Sequence, residues 1–266
     1  MSRTYDFATP YEELPLGRWS EECVEAVWQY HVEIDHRQLV LPDGRIDLVA
    51  RATLAPTGEI SRVQLAIAGP ADRPGFVDAP ANTATIGIRF HIGWGSVCLK
   101  LEAASLRNRV VVGRAAEAMI GSVAHPMLRA ASVTELRQAV LNCARAMSTR
   151  ALAHEGHARV LRAVALLRRG LPLSTLNSVT TASTRTIRRS VNQHVGLSLR
   201  TLSGILRFQR AMARLQSGRA DNLGGLAAEC GYSDQAHMTR EFQRSGAFTP
   251  AHPAAAPVVE TIEQVA

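Results

Sequence analysis

Two short stretches in the last third of the chain hold the side chains best suited to a chemistry, and that chemistry is hydrogen bonding to base edges of nucleic acid. The first is Arg185, Arg188, Arg189 and Asn192, and the second is Gln235, Ala236, His237 and Arg240. A guanidinium can donate two hydrogen bonds to guanine O6 and N7, a side-chain amide can pair with adenine, and an alanine methyl can meet that of thymine. An arginine can equally hold a phosphate, which positions a protein without reading sequence. For Arg188 and Asn192, nearer the edge of their face, the two roles weigh equally. Other chemistry lacks its residues. No Gly-rich phosphate loop, paired catalytic carboxylates or Ser-His-Asp context emerges, so an enzyme is not expected. Cys23, Cys98, Cys143 and Cys230 are scattered, without the spacing of a zinc or redox site, so neither metal nor cofactor is expected.

The elements that must position these residues are legible around them. Leu226 to Phe242 reads as helix, turn, helix. Gly231 suits the left-handed conformation past a helix end. Ser233 or Asp234 can cap the next helix. Met238 and Phe242, at i and i+4, bury one face of it and leave Ala236, His237 and Arg240 opposite. A fainter copy lies roughly 50 residues earlier. There Leu176 to Thr181 leads to Ser183, which caps a helix with Ile187 and Val191 inside. Reading helices are expected near 184–194 and 234–245. Between them, Ser198 to Ser217 has Leu202, Ile205, Leu206, Met212 and Leu215 at helical spacing. A helix of ~19 residues spans ~28 Å, comparable to the ~34 Å repeat of DNA. It could hold two reading helices in successive major grooves. Arg207 on this helix is also suited to an ion pair inside the domain.

Charge follows the same division. Residues 157–253 hold fourteen arginines, no lysine and four acids, a net +10. Residues 1–156 sum to −1 and the tail 254–266 to −2, within a chain of net +7. The excess sits where the helix-turn-helix patterns are, as expected of a duplex binder. Lys100 is the one lysine, so the choice of arginine is a bias of the whole chain; the uneven distribution is the signal.

Residues from about Leu173 to Pro250 resemble the DNA-binding domain of AraC/XylS-type transcriptional regulators. The resemblance rests on Ser183-Thr-Arg-Thr-Ile-Arg-Arg189, Gly196-Leu-Ser198, Arg207-Phe-Gln-Arg-Ala211, Gly231 through Arg240, and Phe248-Thr-Pro250. Asn177 and Thr181 depart from it, standing where the family has a small residue and a glycine. The resemblance implies that the two polar clusters face the groove, and that double-stranded DNA is the partner, with RNA polymerase a second one if the protein activates.

The front half reads as strands. Val24, Ala26, Trp28, Tyr30, Val32 and Ile34 alternate with mostly polar neighbours. Pro42-Asp-Gly44 and Thr57-Gly58 are turns, with strands at Ile46 to Ala50 and Ile60 to Ala68. Gly69 through Pro80 reads as a loop, and Ala84, Ile86, Ile88 and Phe90 alternate again. This predicts a small β-sandwich or barrel. Ser132-Val-Thr-Glu135 is a capping box opening a helix to about Arg150, and His157 to Arg169 is a connector helix. The expected architecture is α+β in two domains: 1–155 β-rich, 156–253 all-α with a double helix-turn-helix, and 254–266 a flexible tail. Leu41 to Leu48, Gly69-Pro70 and Ile86 to Gly93 resemble an N-terminal domain of uncharacterised function found in some AraC-type regulators. Better-understood front domains in related regulators bind a small effector or dimerise, and that resemblance implies one or both here.

Within the front half, Arg45 and Arg89 are the weaker candidates for holding an anionic effector. The competing reading pairs them with Asp43 or Asp47 to hold a turn, and is favoured. His31, His36 and His91 lack metal-site spacing, and Trp19, Trp28 and Trp94 read as core. No apolar run spans a bilayer and the first residues do not resemble a secretory signal, so no membrane association and a cytoplasmic location are expected. Two alternatives to a regulator remain: an architectural DNA binder without a ligand, and a DNA-repair enzyme carrying an AraC-like domain, which the scattered cysteines disfavour.

Overall fold

The computed structural model describes residues 11–16, 22–151, 155–176, 182–218 and 222–252. The front half is a six-stranded antiparallel sheet of order β1-β2-β7-β4-β5-β8, with a separate two-stranded ribbon of β3 and β6. The strands are β1 (Glu12–Leu14), β2 (Val24–Val32), β3 (His36–Val40), β4 (Asp47–Leu54), β5 (Ile60–Ala68), β6 (Gly75–Ala79), β7 (Thr83–Phe90) and β8 (Val110–Val112). Gly44 and Gly58 make their turns at φ +71° and +85°, where a residue without Cβ has no steric penalty.

β7 is buried along its whole length between β2 and β4. Its Ala84, Ile86, Ile88 and Phe90 share a core with Leu136, Val140 and Cys143 of the long helix α4 (Val133–Arg150). The Ser132 half of the capping box forms, its hydroxyl accepting from the Glu135 backbone N–H at 3.2 Å, while Glu135 reaches one residue further back and accepts from the Ala131 N–H at 2.9 Å. Before α4 come short helices α1 (Trp94–Cys98), α2 (Arg114–Ile120) and α3 (His125–Leu128), with a 3₁₀ turn at Ala103–Leu106.

Two sequence expectations need correction. Gly69 to Pro80 is not all loop, because β6 forms within it by pairing with β3, His36 opposite Ala79 through Val40 opposite Gly75. That partner lies about forty residues away, so local composition hides it. The alternation in β2 is also not apolar-in, polar-out. It ends at Val32, Ile34 is exposed, and polar Gln29 is buried, donating to Glu12 at 2.6 Å and accepting from Arg137 of α4 at 3.0 Å.

The second half follows through the connector α5 (Glu155–Arg168), then α6 (Thr184–Val195), α7 (Leu199–Gln216), α8 (Leu223–Glu229) and α9 (Gln235–Gly246). The expected opening helix at Leu176 to Thr181 falls mostly outside the described residues, as does Trp19. Among the described residues, no helix is long and apolar enough to cross a membrane.

The two halves share cores. Ile92 of the front half is buried with Val160 and Val164 of α5, Ile187 and Val191 of α6, and Leu202 of α7. Leu39 and Leu41 are buried with Phe208, Met212, Met238 and Phe242. The rings of Trp94 and His157 meet edge-on at 4.1 Å, with His194 of α6 5.6 Å beyond. Gln209 of α7 donates to the Pro42 carbonyl at 3.4 Å. The front half therefore touches the hydrophobic interior of both helix-turn-helix units.

Candidate DNA interface

Each of the two expected reading helices, α6 and α9, is fixed by its cap and by one apolar face. Ser183 accepts from the Thr186 N–H at 3.2 Å, which satisfies an otherwise orphaned donor at the start of α6. Ile187 and Val191 are fully buried, as the spacing predicts. Asp234 plays the same part for α9, accepting from the His237 N–H at 2.6 Å. That hydrogen bond, with one from Ser233, holds the Asp234 carboxyl below its usual range. Met238 and Phe242 are fully buried. Gly231 stands at φ +80° in the turn before α9.

The opposite faces are open. Arg185, Arg188, Arg189 and Asn192 are exposed along α6, and Gln235, Ala236 and Arg240 along α9. His237 departs from the expected outward face and turns back on its own domain. Its ring lies edge-on to Tyr232 at 5.3 Å, Nδ1 is 3.1 Å from the Ser233 hydroxyl, and Nε2 is 3.8 Å from Glu241. The spacing that puts a residue beside Arg240 on a helix does not reveal a neighbouring aromatic that draws it inward.

α7 joins the two units. It runs 18 residues, capped by Ser198, whose hydroxyl accepts from the Thr201 N–H at 3.0 Å, and so spans about 27 Å at 1.5 Å per residue. Three of its arginines, Arg207, Arg210 and Arg214, make contacts within the domain. Arg207 donates to Glu241 at 2.5 and 3.3 Å, with its guanidinium 4.7 Å above the Tyr232 ring. Burial would lower its pKa, but the Glu241 carboxylate outweighs that and raises it. Arg210 donates to the carbonyls of Leu167 at 2.7 Å and Cys230 at 3.4 Å, tying α5 and the end of α8 to α7. Arg214 pairs with Glu229. Part of the positive excess in this segment is thus used internally, which a count of charges cannot separate from a DNA-facing surface.

Arg45 and Arg89 of the front half are both engaged by carboxylates. Arg45 donates to both oxygens of Glu25 at 2.5 Å, with side chains 8% and 2% exposed, and its backbone N–H donates to Asp43 at 3.0 Å. Burial would raise the Glu25 carboxyl, but Arg45, with Arg168 and His91, holds it below the usual range. Arg168 belongs to α5 and reaches Glu25 at 3.9 Å, so this cluster also bridges the two halves. Arg89 lies 3.4 Å from Asp47, which accepts from the Trp28 indole at 3.3 Å. Burial pushes Asp47 up to about 6 against the pull of Arg89. Glu25, the main partner of Arg45, was not singled out by the sequence pattern. It lies on β2 at a register shift between Val24 and Ala26, an irregularity that strand alternation does not reveal.

Two capped helices with polar outer faces, joined by one long helix, define a DNA-binding protein of the double helix-turn-helix class. A family model described as a helix-turn-helix domain matches residues 176–253, and one described as a domain of unknown function (DUF6597) matches residues 21–112. The chain carries an AraC-type helix-turn-helix domain, a DNA-binding module, behind that front domain of unknown function. No curated protein matches the chain significantly. Among solved structures, ToxT from Vibrio cholerae O395 is similar at 8% identity and a TM-score of 0.41, over 85% of this chain and 94% of that one. Unsaturated fatty acid-bound ToxT from Vibrio cholerae strain SCE256 matches at 10% identity and a TM-score of 0.38, over 95% and 96% of the two chains.

Proposed function

We propose that the protein is a non-enzymatic, sequence-specific regulator that reads two successive major grooves with α6 and α9, under control of its front half. The observation that supports the reading is the pairing of two exposed polar helix faces across one 18-residue helix. Arg185, Arg189, Gln235 and Arg240 supply base-edge donors and acceptors. Arg188 and Asn192 either read bases or hold phosphates. Selection of bound duplexes from a random pool by the full chain tests this. The expected product is a bipartite site whose two blocks lie about 10 base pairs apart. A single block, or no enrichment, counts against it.

Control by the front half is supported by its insertion into both cores, through Ile92 in one and Leu39 and Leu41 in the other. A ligand or a second copy that shifts the front half would reach both reading units at once. Ligand binding confined to the folded state raises thermal stability, so a thermal-shift screen identifies a small effector, and sedimentation of the full chain identifies a dimer. A monomer whose DNA binding responds to no ligand would instead be an architectural binder.

A further inference from the structure

The front half does more than back the reading units; it runs alongside the first of them. Gly196, which ends α6, packs on the backbone of Ala103, and His194 of α6 faces the Trp94–His157 pair. Between this wall and α6 lies an open cleft of about 530 Å³. Val97, Lys100 and Glu102 line its front-half side, and Arg189, Gln193 and His194 its α6 side. Arg189 therefore belongs both to this cleft and to the exposed face of α6. The cleft opens beside the exposed face of α6, the two sharing Arg189.

Lys100 stands there. It is exposed, it is the one lysine in the sequence, and its backbone is at φ +53°. A long side chain is thus held on a left-handed backbone that L-residues rarely adopt. An ammonium is a compact point charge suited to a phosphate rather than to the two-pronged reading of a base. The carboxylate of Glu102 on the same cleft opposes an anion, while Lys100 and Arg189 favour one.

We propose that Lys100 extends the DNA interface into the front half, its ammonium holding a backbone phosphate of the strand beside α6. The inference rests on the proposal that α6 enters a major groove.

The test uses the full chain and a duplex recovered by selection, titrated at several salt concentrations. Lys100→Gln should weaken binding several-fold on all sequences and reduce the salt slope by about one. Glu102→Gln should strengthen binding, and Arg189→Ala should change base preference instead. A second readout uses the chemical uniqueness of the site. Acetic anhydride modifies one lysine side chain in this protein, and the duplex should slow acetylation of the Lys100 peptide. A wild-type chain that binds DNA, with unchanged affinity and slope in Lys100→Gln and unprotected Lys100, overturns the contact while leaving the α6 reading intact. A wild-type chain that binds no duplex defeats the wider reading, and this contact with it.

Discussion

Gly196 and Ala103 meet backbone to backbone: a Cβ on Gly196 would stand 2.5 Å from the Ala103 carbonyl oxygen. The end of α6 is therefore seated on the front half with no room for a side chain. Gly196 is also left-handed, at φ +75°. Gly231 offers a comparison, at φ +80° with nothing within 4 Å of an added Cβ. Gly231→Ala should cost only the backbone strain, about 1 kcal/mol. Gly196→Ala should cost about 2 kcal/mol or more, because the contact must also open. Chemical denaturation of the two variants checks this, and equal losses would mean that the contact contributes nothing.

The base-reading assignment is checked by single substitutions. Arg189→Ala and Arg240→Ala should each relax preference in a different block of the site, at ~1–3 kcal/mol on the best sequence. Both side chains lie opposite buried pairs, Ile187/Val191 and Met238/Phe242. Competition binding against single-base variants of the site separates the outcomes. Uniform weakening across sequences would reassign either residue to phosphate.

Glu25 gives a pH dependence of known sign. Its carboxyl is held below its usual range in the folded protein. The stability it contributes is therefore present above the unfolded value of about 4.3 and is lost as pH falls through the lower folded value. Glu25→Gln should weaken the pH dependence of unfolding in that acid window. At pH 7 the variant should be destabilised by roughly 3–5 kcal/mol, since Arg45 would be left buried without its carboxylate. Urea melts of both proteins from pH 7 down to pH 3 measure the two effects together.

A fragment of residues 157–253 contains both reading helices and the +10 charge, so its folded form should bind duplex DNA with strong salt dependence. It lacks Ile92, Leu39 and Leu41, which complete the two cores. Each buried aliphatic side chain contributes about 1.5–3 kcal/mol, so the fragment should unfold at markedly lower denaturant than the full chain. Equal midpoints would show that the shared cores carry little energy.

What the sequence made legible was local. Caps at Ser132, Ser183 and Asp234, the turn at Gly231, and the i, i+4 pairs on α6 and α9 all depend on neighbours within four residues, and the structure places each as expected. What stayed hidden was distant. Arg45, in the turn before β4, meets Glu25 twenty residues back on β2, β6 exists because β3 pairs with it, and Leu39 completes a core with Phe242. His237 shows the same limit at the site itself, since only the fold reveals that Tyr232 and Glu241 stand beside it.

The single helix between the two units acts as a ruler with a phase. Adding one residue to α7 would move one unit only 1.5 Å further from the other but turn it by about 100°. A short insertion or deletion would thus turn the outer face of α9 out of phase with that of α6 long before it altered the spacing noticeably. Changes in operator spacing are therefore not accessible through small changes in helix length. In the proposed mode of reading, sequence preference is then set by the side chains on the two outer faces rather than by the length of α7.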